Sequence, residues 1–350
     1  MTNRSSSPSP SGAGDQPGTQ TPPFKSGFVA IAGQPNTGKS TFLNAVLGRK
    51  VAIVTPKAQT TRTRILGVCH RPGCQMIFLD TPGIHRPGDS LFNKAMVRTA
   101  YDACQDVDAI LYFMDANRGI QEADREILAR LPQRDDPSND QTSAGPSPSS
   151  TALFLVMNKV DRLENSRLYA HLQALQNVPC AAVIPLSALT GYNVDHLLSL
   201  LPSHLPEGPH YFPDDQWTDQ PEQFFAAEVI REKLFMHLQK ELPYSLAVKL
   251  SMFQPRIPVG EKEIWDVVAT ILVERESQKG IVIGQKGSML KQIGSSARTE
   301  LERIFGVRIF LKLWVKVRKD WSEDAGLLRD LGYPSPEKRQ GDAEDDALFR

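Results

Sequence analysis

The stretch Phe28-Val29-Ala30-Ile31-Ala32-Gly33-Gln34-Pro35-Asn36-Thr37-Gly38-Lys39-Ser40 joins an apolar run to a glycine-rich turn. Its apolar part has the length and composition of a buried β-strand. The part from Gly33 to Ser40 matches G-x-x-x-x-G-K-[ST], the phosphate loop, whose backbone N–H groups surround phosphate oxygens. A helix that begins near Ser40 adds its positive dipole end. This unit predicts an α/β sheet with a phosphate site at a strand end.

Three more polar motifs follow apolar runs that we predict to be buried strands. The runs are Met76–Leu79, Leu153–Met157 and Ala181–Leu186, and the motifs after them are Asp80-Thr81-Pro82-Gly83, Asn158-Lys159-Val160-Asp161 and Ser187-Ala188. In an open parallel sheet, ligands bind outside the carboxyl ends of the strands. The four motifs are therefore expected to meet at one nucleotide site.

The residue types indicate a separate role for each motif. Lys39 is expected to reach the β- and γ-phosphates, while Ser40 and Asp80 hold Mg²⁺. Gly83 lets a backbone N–H approach the γ-phosphate. The carboxylate of Asp161 accepts hydrogen bonds from guanine N1–H and the 2-amino group, which adenine does not offer. A site of this kind rejects the wrong partner by roughly 10⁴-fold, so the motifs predict GTP and GDP as ligands.

Two further details complete the predicted site. Ser187-Ala188 is expected to present a backbone N–H to the guanine carbonyl. In Gln59-Thr60-Thr61-Arg62-Thr63, a threonine is expected to complete Mg²⁺ coordination when GTP is bound. We favour Thr61 over Thr60, although the sequence does not separate them. The predicted catalytic residues are Lys39, Thr61 and Gly83, and the predicted metal ligands are Ser40, Thr61 and Asp80. The predicted nucleotide contacts are Gly33, Gln34, Pro35, Asn36, Thr37, Gly38, Lys39, Ser40, Thr41, Asp80, Thr81, Pro82, Gly83, Ile84, Asn158, Lys159, Val160, Asp161, Ser187 and Ala188.

Length and composition set the remaining bounds. The chain has 350 residues, enough for two domains, and its 40 acidic and 40 basic residues balance, so net charge predicts no partner. The four cysteines show no metal-ligand spacing. No apolar run reaches the roughly 18 residues of a membrane span, and the N-terminus lacks the apolar core of a secretory signal. These features predict a cytoplasmic protein.

Changes in composition divide the chain. Residues 1–26 are rich in Ser, Pro and Gly and are predicted to be a disordered tail. Residues 27–204 form the nucleotide-binding domain, with a low-complexity surface loop at 134–150. Residues 205–222, which are rich in proline, are predicted to be a linker. Residues 223–333 form a second, α+β domain, and residues 334–350 form a charged tail.

The second domain contains Gly284-Gln285-Lys286-Gly287, a Gly-x-x-Gly loop expected to join the strand-like Ile281–Ile283 to a helix. This is the KH signature, in which the loop clamps about four nucleotides of single-stranded nucleic acid. An ordinary tight turn is the alternative. From Ile281 to Asp320 there are nine Lys and Arg but three Asp and Glu, an excess of six that favours nucleic acid. The predicted RNA contacts are Ile283, Gly284, Gln285, Lys286, Gly287, Ser288 and Lys291.

The last predicted strand of this domain has a polar face opposite its apolar face. Arg308, Phe310, Lys312, Trp314, Lys316 and Arg318 alternate with apolar residues. Basic and aromatic residues in alternation suit phosphate contact and base stacking. The alternative is that Phe310 and Trp314 pack under a helix, and the sequence favours neither.

These motifs together resemble the Era family of ribosome-assembly GTPases. The resemblance covers roughly residues 27–333 and includes Lys57-Ala58-Gln59-Thr60-Thr61-Arg62, Leu242-Pro243-Tyr244-Ser245 and Leu313-Trp314-Val315-Lys316-Val317. It implies a doubly wound P-loop GTPase domain followed by a type II KH domain, with GTP, GDP and Mg²⁺ as ligands. It also implies binding of 16S ribosomal RNA near its 3′ end, a role in 30S subunit assembly, and a monomer. A peripheral contact with the inner face of the membrane stays open, although the sequence offers no anchor.

Two features qualify the resemblance, and a third residue adds a hypothesis. The insertion near residues 137–150 looks foreign to the compact family pattern and is expected to be neutral. Ile84 follows Gly83 where many signalling GTPases carry a water-orienting glutamine, so slow intrinsic hydrolysis is expected. Asn36 is similar to the asparagine that related GTPases use to hold K⁺, which makes K⁺ activation a hypothesis.

The motifs leave a choice between functions. The main hypothesis is a GTPase switch in which GTP orders residues 59–63 and 83–86 and changes how the KH domain meets RNA. The alternative is an RNA-binding assembly scaffold that uses GTP as a structural cofactor with negligible turnover. A signalling GTPase without RNA is disfavoured by the basic Gly-x-x-Gly domain.

Overall fold

A computed structural model describes residues 23–86, 90–132, 151–257 and 263–333. The greater part of the predicted N-terminal tail, the low-complexity loop at 134–150 and the charged tail at 334–350 lie outside these ranges. The first strand begins at Lys25 and pairs Lys25 with Cys74 and Ser26 with Gln75. Ordered structure therefore begins two residues inside the predicted tail of residues 1–26.

The N-terminal domain is built on a six-stranded sheet with the order β2-β3-β1-β4-β5-β6. The strands are β1 (Lys25–Gly33), β2 (Ile65–Arg71), β3 (Cys74–Asp80), β4 (Ala109–Asp115), β5 (Ala152–Asn158) and β6 (Ala182–Leu186). Five strands are parallel, but β2 runs antiparallel to β3. The sheet is therefore parallel apart from this edge strand. Pro72-Gly73 leaves only two residues between the strands, and so short a connection joins antiparallel neighbours.

Helices cover both faces of this sheet. They are α1 (Lys39–Leu47), α2 (Leu91–Asp102), α3 (Glu122–Leu128), α4 (Asn165–Gln173) and α5 (Val194–Leu200). Alternate residues of each strand enter two separate apolar cores, so that in β1 Ile31 packs on one side and Ala30 on the other. The carboxyl ends of β1, β3, β4, β5 and β6 meet at one edge, where the four motifs follow them.

The predicted linker of residues 205–222 lies along the first domain. Gln75 binds the backbone of Tyr211 and Phe212, and the Val68 N–H donates to the Trp217 carbonyl. Thr218 donates its hydroxyl to the Leu66 carbonyl. These bonds fix the segment to the β2 and β3 edge, so a change in domain orientation has to arise after Thr218.

In chain order, the second domain contains α6 (Glu222–His237), β7 (Leu246–Arg256), β8 (Ile264–Val273), α7 (Glu276–Ile283), α8 (Ser288–Phe305), β9 (Arg308–Val317) and α9 (Ala325–Asp330). Its three-stranded sheet has the order β7-β8-β9, and β9 runs parallel to β8. Helices α6 and α8 pack on one face of the sheet.

Two predicted elements of this domain differ from the structure. The sequence predicts a helix over about Gln223–Leu242, but α6 ends at His237 and a 3₁₀ turn at Leu242–Ser245 follows. The chain leaves helical geometry at Leu238, whose ψ is 155° and whose side chain packs into the core of the second domain. Ile281–Ile283, expected as a strand, is the last turn of α7. So short an apolar run has no periodicity to separate strand from helix.

The two domains share an apolar contact. Phe92 and Met96 of α2 are buried against Ala247 of β7, Leu272 of β8 and Trp321. All four cysteines are unpaired. No helix within the described ranges has both the length and the apolarity needed to cross a bilayer.

Candidate functional site

The phosphate loop lies between β1 and α1, as the sequence predicts. Gly38 precedes the helix with φ near 95°, and a Cβ there would lie 2.1 Å from the Asn158 side-chain nitrogen. Both the backbone conformation and the close approach therefore require glycine. The Thr37 hydroxyl donates to the Gln34 carbonyl at 2.9 Å, which closes the loop on itself.

Lys39 is buried inside the loop. Its ammonium donates to the carbonyls of Gly33 at 3.0 Å and Gln34 at 2.9 Å. Burial lowers the pKa of Lys39 to about 8, against the opposing attraction of Asp80. A phosphate group beside this ammonium would raise the pKa again, because a nearby anion favours the protonated form.

A cluster of three oxygen-bearing side chains lies next to the loop. Ser40 Oγ donates to Asp80 Oδ2 at 2.7 Å and lies 2.8 Å from Thr61 Oγ1. The Thr60 hydroxyl instead contacts Thr55 Oγ1 at 2.7 Å and donates to the Lys57 carbonyl at 2.8 Å. The structure therefore brings Thr61, and not Thr60, to the two predicted metal ligands.

The donors of this cluster fit a hard cation. Burial raises the pKa of Asp80 to about 6, although the hydrogen bond from Ser40 and the charge of Lys39 work against the shift. Asp80 Oδ1 is buried and accepts no hydrogen bond within the described chain. One carboxylate and two hydroxyls suit Mg²⁺, which prefers oxygen ligands. The described ranges contain no group of three or more His, Cys, Asp or Glu that would suit a softer metal.

The base-binding motifs meet as expected, with one difference. Asp161 Oδ1 accepts a hydrogen bond from Ser187 Oγ at 2.6 Å, which orients the carboxylate. Asn158 donates to the Thr37 carbonyl at 2.7 Å, and its oxygen accepts the Ala188 N–H at 2.9 Å. In this structure the Ala188 N–H therefore already has an acceptor, and its contact with the guanine carbonyl stays a prediction.

Lys159 has a partner that the sequence analysis missed. Its ammonium lies 2.8 Å from Asp115 Oδ2 and donates to the Asn36 carbonyl. Asp115 ends β4, so an acid at the carboxyl end of a fifth buried strand was a usable signal. Partial burial opposes ionisation of Asp115, but the hydrogen bonds that it accepts from Lys159 and Asn117 lower its pKa. The ion pair fixes Lys159 over the phosphate loop.

The second motif packs closely on the first. A Cβ at Gly83 would lie 2.6 Å from Pro35 Cα, so only glycine lets the two loops approach. The Ile84 N–H donates to the Gly33 carbonyl at 3.0 Å, and the Ile84 side chain is buried in the core. The Thr81 hydroxyl donates to the Ile31 carbonyl. Ile84 and Thr81 therefore position the loops and offer no side chain to a ligand.

These motifs surround a cavity of about 390 Å³. The predicted residues that line it are Pro35, Asn36, Gly38, Lys39, Ser40, Thr41, Thr61, Gly83, Asn158, Lys159, Asp161 and Ala188. The predicted residues that are not part of this lining are Gly33, Gln34, Thr37, Asp80, Thr81, Pro82, Ile84, Val160 and Ser187, of which Gln34 and Thr37 line a neighbouring cavity. The lining also includes residues that are absent from the predicted site, namely Ile53, Val54, Thr55, Pro56, Gln59, Thr60, Arg162 and Leu189. Most of the missed residues are apolar or lie on a loop without a motif.

The Gly-x-x-Gly loop of the second domain connects two helices. Gly284 and Gly287 have φ of 73° and 79°, and a Cβ at Gly284 would lie 2.6 Å from Met289 Cβ. The loop and its Lys286 are on the surface. Beside it a groove of about 450 Å³ runs between α8 and β9, lined by Gly287, Leu290, Lys291, Gly294, Ser295, Arg298, Leu311 and Leu313. The groove contains the predicted Gly287 and Lys291, and Gly294 and Ser295 keep it open because they are small.

Comparison with known proteins assigns both domains. The family model described as a 50S ribosome-binding GTPase matches residues 28–159, and the KH domain model matches residues 241–322. The chain is 47% identical to the GTPase Era of Geobacter metallireducens, over 89% of this chain and 98% of that protein. The chain belongs to the Era family of GTPases. The GTPase Era of Staphylococcus haemolyticus is 43% identical, over 88% of this chain and 97% of the relative.

Solved structures of Era are similar along nearly the whole chain. An Era in complex with MgGDPNP and nucleotides 1506–1542 of 16S ribosomal RNA matches with a TM-score of 0.80 at 39% identity, over 89% of this chain and 99% of that one. A variant of Aquifex aeolicus Era bound to GDP·AlF4⁻ matches with a TM-score of 0.79 at 38% identity and similar coverage. The predicted fold, a P-loop GTPase domain followed by a KH domain, is therefore confirmed, and so is the prediction of a GTPase.

In this member of the Era family, residues 53–62, which we call the switch segment, contact both the cavity and the KH domain. Arg231 of α6 donates to the Thr60 carbonyl at 2.6 Å, and the Val54 N–H donates to Glu232 Oε1 at 3.2 Å. Lys57 donates to two backbone carbonyls near the end of α6. The backbone of the switch segment is therefore bound from the KH side.

Arg62, the last residue of the switch segment, extends into the KH domain and is 1% exposed. Its guanidinium donates, at 3.0, 3.2 and 2.6 Å, to the carbonyls of Pro243, Tyr244 and Leu246. It also lies 5.1, 5.5 and 5.9 Å from the ring centres of Phe92, Phe235 and Tyr333. Thr61 faces Ser40 and Asp80 at the predicted Mg²⁺ site, so two consecutive residues contact the two domains.

Proposed function

We propose that this chain is a GTP-hydrolysing switch that binds 16S ribosomal RNA through its KH domain and acts in assembly of the 30S ribosomal subunit. The observation that carries the proposal is the pair Thr61 and Arg62. Thr61 belongs to the cluster expected to hold Mg²⁺, and Arg62 is buried in the RNA-binding domain. A change of nucleotide would therefore move Thr61, and a change in the position of the KH domain would move the adjacent Arg62.

At the nucleotide site, the residues of this chain would position and stabilise the transferring phosphoryl group. Lys39 and the N–H groups of the phosphate loop would stabilise the negative charge that develops on the phosphoryl group. Ser40, Thr61 and Asp80 would hold Mg²⁺, which neutralises phosphate charge when it is bound. Asp161, oriented by Ser187, would select guanine. GTP is thus the substrate, and GDP and phosphate are the products.

The buried side chain of Ile84 supports slow intrinsic turnover. Many GTPases orient the attacking water with a glutamine at this position, but Ile84 is 2% exposed and packs in the core. Nothing on this side chain can bind water. A rate increase has to come from elsewhere, and RNA bound to the second domain is the source we propose.

Potassium is a second proposed ligand. The Asn36 side-chain N–H donates to the Pro56 carbonyl of the switch segment at 3.2 Å. Its amide oxygen accepts no hydrogen bond within the described ranges, so this oxygen is left for a cation at the edge of the phosphate site. GTPase rates in matched KCl and NaCl test the idea, and equal rates would refute it.

For the KH domain we propose single-stranded RNA in the groove between α8 and β9. The Era structure that contains nucleotides 1506–1542 of 16S ribosomal RNA supports this choice of RNA. Gly284 and Gly287 permit the close approach of a phosphate backbone, and Lys286 and Lys291 add charge. A ribosomal partner implies a cytoplasmic location. We also propose that the chain acts as a monomer, because both sites are complete within it.

Two measurements separate this proposal from the scaffold alternative. Asp161→Asn removes the acceptor for the two guanine donors, so GTP affinity should fall at least a hundredfold while RNA binding is kept. Multiple-turnover release of phosphate by the unaltered chain then distinguishes switch from scaffold. Release of less than one phosphate per protein over hours would favour GTP as a structural cofactor.

A further inference from the structure

The outer face of β9, opposite the groove, carries exposed aromatic and basic side chains. Phe310 is 56% exposed and Trp314 is 54% exposed, while Ile309 on the other face is 4% exposed. Helices α6 and α8 cover only the face that includes Ile309, Leu311 and Leu313. The alternative that Phe310 and Trp314 pack under a helix is therefore wrong.

The cations of this face are available to an anion. Within the described residues no carboxylate lies within ion-pair distance of Arg308, Lys312 or Lys316, which stand on the outer face of one strand. Asp266, beside Phe310 on β8, already pairs with Arg256 at 2.9 Å. The Lys312 ammonium lies 4.6 Å from the ring centre of Trp314, which keeps charge and ring together.

The exposed area is bounded by the rest of the molecule. Near the other end of the same face, Ala247 and Leu272 are buried against α2 and the C-terminal residues Trp321 and Leu328. The fold thus covers the part of the sheet next to the GTPase domain and leaves the part around Phe310 and Trp314 open. Along a strand, these two rings lie about 13 Å apart, which suits bases that are not adjacent.

We infer that this outer face of β9 is a second RNA-binding surface, continuous with the groove. Its occupant is single-stranded RNA beyond the roughly four nucleotides that a Gly-x-x-Gly groove takes. Phe310 and Trp314 stack bases, and Arg308, Lys312 and Lys316 contact phosphates. The inference rests on the proposed RNA binding by the KH domain.

Continuity and charge favour RNA over another occupant. β9 is the edge strand of the described sheet, and its Leu311 and Leu313 line the groove from the opposite side. An RNA strand that leaves the groove around this edge meets the outer face directly. The alternation of rings with unpaired cations complements bases and phosphates, whereas an apolar protein partner would leave three charges without partners.

The test compares two RNA strands of the 16S 3′ end, a five-nucleotide strand that fills the groove and a fifteen-nucleotide strand that extends it. Phe310→Ala/Trp314→Ala should weaken the long strand at least tenfold, because each stacked base contributes about 1–3 kcal/mol. The affinity of the short strand and the GTP turnover without RNA should not change. Lys312→Ala/Lys316→Ala should reduce the salt dependence of long-strand binding by about 1.4 in log–log slope.

Two control variants make the outcomes distinct. Tyr169→Ala removes an aromatic ring that is 66% exposed on the GTPase domain and should affect neither strand. Gly284→Asp/Gly287→Asp blocks the groove and should weaken both strands. Unchanged long-strand affinity in Phe310→Ala/Trp314→Ala would overturn the inference and leave the groove as the RNA site. If the unaltered chain binds neither strand, the proposed function itself fails.

Discussion

Arg62→Ala is the substitution that tests the connection between the switch segment and the KH domain most sharply. The side chain donates to three backbone carbonyls of the KH domain, and three rings from both domains surround it. The change removes these contacts and keeps the neighbouring Thr61, which lies at the predicted Mg²⁺ site. Nucleotide binding should therefore survive while domain docking weakens.

The magnitude follows from opposing contributions. Three hydrogen bonds from a charged donor would contribute roughly 1.5–3 kcal/mol each, but burial of the guanidinium costs several kcal/mol. The cost is visible in its Nε, which is buried without a partner in the described chain, and burial lowers the pKa of Arg62. We expect Arg62→Ala to weaken docking by about 3 kcal/mol, roughly 150-fold in the docking equilibrium.

Hydrogen exchange with a non-hydrolysable GTP analogue measures this effect. In Arg62→Ala, the amides of residues 243–246 and of the switch segment should exchange faster, and RNA should no longer raise GTP turnover. Arg62→Lys, which keeps the charge but not the planar fork, should be intermediate. Arg64→Ala is the matched control, because Arg64 is exposed two residues further on. Unchanged exchange and unchanged RNA response in a variant that still binds GTP would refute this role.

Three further predictions concern the two sites. Asp80→Asn removes a buried charge whose pKa is about 6. The nucleotide-free protein should therefore become more stable, by up to about 3 kcal/mol at pH 7, while Mg²⁺-dependent nucleotide binding is lost; thermal melting with and without Mg²⁺ and GTP checks both. For the unaltered chain, Mg²⁺–GTP affinity should fall about tenfold per pH unit below about 6, as Asp80 gains a proton. It should fall again above pH 8, as Lys39, with its pKa of about 8, loses its charge. Without nucleotide, the contribution of Asp80 to stability should increase as the pH falls from about 6 towards 4, because the pKa of Asp80 is higher in the folded chain. The melting temperature should therefore rise over this range in the unaltered chain relative to Asp80→Asn. Gly284→Ala places a Cβ 2.6 Å from Met289 at positive φ, so it should cost about 1–3 kcal/mol and weaken RNA binding without changing GTP affinity, as titrations of both ligands would show.

The nucleotide site was predictable because its motifs are local and its sheet is regular. Each motif directly follows a buried strand, and parallel strands bring their carboxyl ends together. This argument needs no knowledge of side-chain contacts, and it placed Lys39, Ser40 and Asp80 correctly relative to one another. The antiparallel β2 was also within reach, since Pro72-Gly73 is a turn signal between two apolar runs.

The remaining features depend on contacts between distant parts of the chain. Nothing in the sequence around Arg62 says that its partners are carbonyls more than 180 residues away. Similarly, the choice of Thr61 over Thr60 depends on which hydroxyl reaches Ser40 on α1, and the Ala188 N–H donates to the side chain of Asn158 at the end of another strand. The face of β9 could not be decided because alternation predicts two faces but not which one the helices cover.

The most direct test of the central claim is GTP turnover with and without a short single strand from the 3′ end of small-subunit ribosomal RNA. We predict that RNA raises the rate of the unaltered chain and that this increase disappears in both Gly284→Asp/Gly287→Asp and Arg62→Ala. The first variant would place the effect at the groove, and the second would place its transmission at the switch segment. Unchanged turnover while RNA is demonstrably bound would contradict the claim that the two domains are coupled.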